Sequence, residues 1–237
     1  MKLNGILGKG SGKLGSSVFA INSGEQIVRE YTPRVSNPRT NAQVAQRARF
    51  KLLSQLAVIF ASYNAFKKDG LVSKRNQFVS ANMNAVTYAD NEAKVNLLDI
   101  VLSNGSRNTI TVGSNAVDAS HFNIIGYSQP ESRPDAMLLV VARPDEDGYV
   151  TIIKGQIVTT ANENGEFIIP NVVAPAPFVV YGVGLYIDGS SNKDSFNEIF
   201  GEINDETNEM FVTVDVIKKV LESASVTTKT ATFLQTI

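Results

Sequence analysis

The most suggestive chemistry lies near the start of the chain, where Gly10-Ser11-Gly12-Lys13-Leu14-Gly15 matches a G-x-G-x-x-G phosphate loop letter for letter. Such a loop holds a dinucleotide only between a strand and a helix, with an acid about twenty residues further on. Here a Gly/Lys-rich stretch precedes it and a strand pattern follows. A Walker-type loop fails too, because Leu7 stands where its first glycine belongs and Leu14 follows Lys13. His121 is the one histidine, which leaves little imidazole for acid–base work or metal binding. The chain has no cysteine, so thiolate nucleophiles, thiolate zinc sites and disulfides are excluded. No serine sits in a G-x-S-x-G frame. Asp145-Glu146-Asp147 before Gly148 and Asn204-Asp205-Glu206 are acidic clusters without the ligand order of an EF-hand, and the first has turn composition. We therefore expect a protein that is not an enzyme, with no catalytic, cofactor-binding or metal-ligating residues.

Charge is the stronger signal. The formal net charge is −1, yet residues 1–89 hold 13 Lys/Arg against three acids, while residues 90–237 hold nine against 20. A solvated helical face normally mixes both signs, so a nearly acid-free basic segment points to a partner. The residues expected to form that interface are the cations Lys9, Lys13, Arg29, Arg34, Arg39, Arg47, Arg49 and Lys51. Gly8, Gly10, Gly12 and Gly15 are expected to permit close backbone approach. Arg47 and Lys51, four apart, share a helix face and Arg49 lies on another. Aromatic residues are sparse among these arginines, so single-strand stacking platforms are not evident.

Three segments must position these residues, and together they predict an α+β protein. Residues 1–36 read as a Gly-rich arm, too poor in apolar surface to order by itself, followed by a β-hairpin of Ser16–Ile21 and Gln26–Tyr31 turning at Asn22-Ser23-Gly24-Glu25. Residues 37–89 read as a basic helical hairpin. Thr40 and Gln43 form a capping box, and Ala45, Ala48, Leu52, Leu56, Ile59 and Tyr63 continue a helical stripe to about Phe66. That helix would be roughly 40 Å long. Lys67-Lys68-Asp69-Gly70 stops it, with the lysines suiting its dipole, and a second helix covers about Ser73–Val86. Residues 90–237 read as an acidic, antiparallel, Ig-like β-sandwich. Its expected strands are Val95–Leu102, Thr109–Val112, His121–Tyr127, Met137–Ala142, Val150–Val158, Glu166–Ile169 and Phe178–Ile187. Ser190–Glu209 is polar and loop-like, Phe211–Val216 suits a further strand, and a short helix is expected near Lys218–Ser223. The threonine-rich tail from Thr227 either pairs as an edge strand or stays loose. No apolar run approaches the roughly 18 residues of a membrane span, and the first residues have no signal-peptide core, so we expect no membrane partner.

From Gly12-Lys13-Leu14-Gly15-Ser16-Ser17-Val18, through Gln26-Ile27-Val28-Arg29, to Asn37-Pro38-Arg39-Thr40-Asn41-Ala42-Gln43 and Gln46-Arg47-Ala48-Arg49-Phe50, the chain resembles a domain family of unknown function. That family is common in Bacteroidales genomes and is also encoded by crAss-like phages. The likeness extends to Ala136–Ala142 as a central strand, to Val179-Val180-Tyr181, and to Asp188-Gly189 with Ser191-Asn192-Lys193-Asp194-Ser195-Phe196. The N-terminal motif is specific. The C-terminal one is loose, because Lys193-Asp194 interrupts a usual Ser-Asn-Ser run.

The resemblance implies no enzyme activity and carries no catalytic residues. It implies a phage virion structural protein, expected as an auxiliary or decoration protein of the capsid that assembles in the host bacterial cytoplasm through its N-terminal arm, the arm and hairpin of residues 1–36 lying on a neighbouring subunit. Expected partners are other virion proteins (capsid, portal or tail) and further copies of the chain. Two alternatives stand beside it: a tail or neck ring subunit, and a nucleic-acid-binding protein that uses the basic half.

Overall fold

The computed structural model describes residues 11–22, 25–33, 39–107, 110–145, 150–159, 161–187, 214–224 and 226–236. The chain forms two compact units, Met1–Val44 and Ala45–Ile237.

In the first unit, β1 (Gly12–Leu14), β2 (Ser17–Asn22) and β3 (Glu25–Glu30) form an antiparallel sheet in that order. The hairpin of β2 and β3 is the expected one, closed by Asn22 opposite Glu25. Strand β1 is an addition: part of the stretch expected to stay unordered pairs with β2, Leu14 lying opposite Ser17. Gly15, at φ +60, opens the two-residue turn between them. Only glycine takes that first turn position without steric cost.

Helix α1 (Asn41–Ile59) starts where the cap was expected, and Thr40 Oγ1 accepts the Gln43 N–H at 3.4 Å. The return half of the capping box is not made: Gln43 Oε1 has no partner. The helix runs 19 residues, about 28 Å, and does not reach Phe66. Past Ile59 the backbone tightens, Tyr63 N–H bonding the Phe60 carbonyl, and Ala65 N–H is taken by the distant Leu102 carbonyl. Phe60 and Phe66 stay buried without a helix beneath them, which is why the apolar period outlasts it.

The second expected helix is also shortened, so a long helical hairpin is not what forms. Helix α2 (Lys74–Ala81) is capped by Ser73 Oγ, which accepts the Asn76 N–H at 3.2 Å, and it ends at Asn82. The fully buried Asn82 amide donates to the Phe78 and Val101 carbonyls, both at 2.9 Å, and accepts the Val101 N–H at 2.6 Å. Val86, read as helical, instead begins β4 (Val86–Ala89), which pairs with β5 (Glu92–Val95). Asp90 and Asn91, at φ +53 and +62, form the turn, as a primed hairpin turn requires. The expected strand Val95–Leu102 is likewise replaced. Leu97–Asp99 is a 3₁₀ turn capped by Asn96, and Leu97, Ile100 and Leu102 drop into the core.

The antiparallel sandwich is present. One sheet has the order β10-β7-β6, from β6 (Ile110–Ala116), β7 (His121–Ser128) and β10 (Glu166–Val173). The other centres on β8 (Ala136–Pro144) and β11 (Phe178–Tyr186), with β9 (Val150–Val158) beside β8. Beyond β11 lie β12 (Val226–Thr227) and β13 (Ala231–Gln235), so the threonine-rich tail pairs. Phe211–Val216, expected as a strand, lies partly outside the described residues, and its last three residues open helix α3 (Val214–Ser223).

Strands β8 and β11 are buried on both faces. Met137, Leu139, Val141, Phe178 and Val180 meet Phe122, Ile124, Phe167 and Ile169 of the other sheet. Their alternates, among them Leu138, Val140, Val179 and Tyr181, share a core with Leu53, Leu56, Phe60 and Phe78 of the helical segment and with Val220 of α3. Residues on either side of Asp90 therefore contribute to one core. Tyr181 anchors this layer. Its hydroxyl donates to the Leu97 carbonyl at 2.7 Å, its ring meets Phe60 edge-on, and burial raises its pKa above the usual tyrosine value.

Candidate functional site

The register of the N-terminal sheet sorts its side chains onto two faces. Opposed residues in an antiparallel pair share a face, so the row Lys13–Val18–Arg29 lies on one side with Ala20, Ile27 and Tyr31. Lys13 and Arg29 are two strands apart, about 10 Å. The Lys13 ammonium sits 3.6 Å from the centre of the Tyr31 ring, a cation–π contact that leaves both residues exposed. Leu14, Phe19, Ile21 and Val28 lie on the opposite side. A single-layer sheet cannot bury either face by itself, and among the described residues several of its apolar side chains stay exposed. Leu14 is 73% exposed and Ile21 47%, and Ile27 and Tyr31 are exposed as well.

Two more of the expected interface residues belong to this unit. Gly12 adopts φ +135, beyond the reach of most side chains, and Arg39 is exposed one residue before the Thr40 cap. Gly8, Lys9, Gly10 and Arg34 lie outside the described residues.

On α1 the structure separates the three cations. Arg47 and Lys51 are exposed on one face, while Arg49 is half-buried on another, its Nε without a partner. Sequence reasoning missed what shares the exposed face: Phe50 is 53% exposed and Val58 63%. Beside them a groove of about 440 Å³ runs between α1 and α2, lined by Lys51, Ser54, Gln55, Val58, Ile59 and Arg75. The Arg75 guanidinium donates to the Ser54 carbonyl at 3.3 Å, joining the two helices across it. The available signal was Val58 itself, an apolar residue off the buried stripe of its helix.

Of the two lysines expected to serve the end of α1, Lys67 serves another helix. Lys67 donates its ammonium to the Ala224 carbonyl just past the end of α3, where a cation complements the helix dipole. Its pKa is lowered, first by burial and then by the charge on Lys74. Lys74 pairs with Glu222 at 3.8 Å with both side chains well exposed, a contact worth little in water.

Ser120, His121 and Asp118 come together, but not as a catalytic relay. Such a relay needs the acid on Nδ1 and the nucleophile on Nε2. Here Asp118 Oδ1 and Ser120 Oγ both approach Nδ1, at 2.8 and 3.3 Å. The Asp118 carboxylate closes this turn, held down to a pKa of about 2 by the Ser120 backbone N–H first and by His121 next. Among the described residues no three His, Asp or Glu side chains converge as a metal cage would require, and no helix is long and apolar enough to cross a membrane. Glu146, Asp147 and the cluster at 204–206 lie outside the described residues. No protein-family model, curated protein or solved structure matches the chain.

Proposed function

We propose that the chain is a non-enzymatic structural subunit of a phage virion, an auxiliary capsid protein that assembles through its N-terminal sheet. The observation that carries the assembly role is that sheet: a single layer with apolar residues on both faces and Lys13 and Arg29 aligned across one of them. Contiguous exposed apolar surface rimmed by charge is the mark of a protein interface. The second unit complements this reading, since β8 and β11 are sealed on both faces and make it a rigid carrier. The virion context comes from the resemblance of the Gly12–Val18 and Asn37–Phe50 motifs to the family found in Bacteroidales and crAss-like phages. The partners are neighbouring virion proteins and further copies of the chain.

The test is proteomic. Mass spectrometry of density-purified phage particles encoding the chain is expected to find it at tens of copies or more per particle. Absence from the particles, together with duplex-DNA affinity that collapses between about 50 and 200 mM salt, would instead favour the nucleic-acid reading.

A further inference from the structure

We propose that the groove between α1 and α2 is the docking site for the acidic segment 195–206 of a second copy. This inference rests on the assembly role proposed above and adds a second contact to that of the N-terminal sheet. The groove has an apolar floor in Val58 and Ile59, a basic rim in Lys51 and Arg75, and no acidic residue in its lining. Phe50 extends the apolar strip two turns back along α1, about 12 Å from Val58. Its occupant must therefore bring apolar side chains over a similar length with carboxylates beside them.

One stretch of the chain has that composition. Phe196, Ile199, Phe200 and Ile203 follow the i, i+3, i+4, i+7 spacing that gathers side chains on one side of a helix. Glu198, Glu202, Asp205 and Glu206 lie among and after them, and residues 195–206 contain no Lys or Arg. Docked in the groove, the apolar set covers Phe50 and Val58, and the carboxylates meet Lys51 and Arg75. Contact in trans joins the cation-rich and acid-rich parts of successive copies, a head-to-tail arrangement that repeats along an assembly.

The absence of cysteine makes the test clean. Full-length Val58→Cys is mixed with isotope-labelled full-length Ile199→Cys, oxidised mildly, and analysed by intact mass while light scattering follows association. The expected product is a heavy–light disulfide dimer. Adding Lys51→Glu and Arg75→Glu to the first chain should cut its yield by at least about tenfold, and Glu198→Lys with Glu202→Lys on the second should restore it. Association without the heavy–light disulfide would overturn this contact and leave the assembly role standing. A disulfide formed only within a single chain carrying both cysteines would assign the groove to the chain's own segment and likewise overturn the proposal. Absence of any association would remove both.

Discussion

Replacing Tyr181 with Phe removes one hydroxyl from the junction between the sandwich and the helical layer. That hydroxyl is fully buried and donates to the Leu97 carbonyl at 2.7 Å. The carbonyl keeps a longer bond from the Ile100 N–H at 3.3 Å, so it is not wholly orphaned. The cost should therefore fall near the middle of the usual range, about 1.5 kcal/mol, which lowers Tm by about 4 °C in a unit of this size. A pH signature separates this effect from general packing loss. Burial raises the Tyr181 pKa above its ordinary value of 10.0, so the folded state keeps the proton that the unfolded chain releases. Its contribution is full below about pH 10 and is lost as pH rises toward the folded value, at up to about 1.4 kcal/mol per unit. Urea unfolding at pH 7 and at pH 10.5 is the assay. The wild-type protein should be the more stable at pH 7, and the difference from Tyr181→Phe should shrink at pH 10.5. Equal urea stabilities at pH 7, or a difference that stays constant to pH 10.5, would refute the reasoning.

Three further outcomes follow from the same contacts. Asn82→Ala strips the partners from both the N–H and the carbonyl of Val101, and thermal melting should show a loss of about 3 kcal/mol. Gly105→Ala puts a Cβ 1.9 Å from the Thr227 backbone carbonyl oxygen and should cost about 2 kcal/mol by urea unfolding, whereas Gly113→Ala enters open space and should stay within about 0.5. The Asp118 carboxyl should titrate at about pH 2 by carbon NMR, below its ordinary 3.8; its stabilising contribution is present above pH 4 and is lost as pH falls toward 2.

The strands of the sandwich were legible because local chemistry and burial agree there. Phe178–Tyr186 and Ala136–Pro144 are apolar runs bounded by prolines and polar turns, and they lie where the sequence suggests, within a residue or two. The helical segment was harder because its ends are set by tertiary bonds. Nothing local to Ala65 announces that the Leu102 carbonyl will take its N–H, and nothing near Asn82 announces a bond to Val101. The Asn82 bond falls where α2 ends and the Ala65 bond lies past the end of α1, so the apolar spacing outlasts both helices. The hairpin at Asp90-Asn91 was hidden for a different reason: its strands are four residues each, too short to show a period of their own. Among the interface residues, the separation of Arg49 from Arg47 and Lys51 follows from helical spacing alone. The alignment of Lys13 with Arg29 needed the register of a strand, β1, whose three residues carry too little pattern to be foreseen.

The central claim, assembly through the N-terminal sheet, is tested most directly by mass photometry of the full-length protein across a dilution series, beside Leu14→Asp and Ile21→Asp. Both positions are exposed and on one face of that sheet, so neither change disturbs the core of the second unit. The account predicts multimers of the wild-type chain that persist on dilution, smaller species for both variants, and unchanged thermal melting of the second unit. A wild-type chain that stays monomeric at every concentration, or variants that assemble as well as it does, would contradict it.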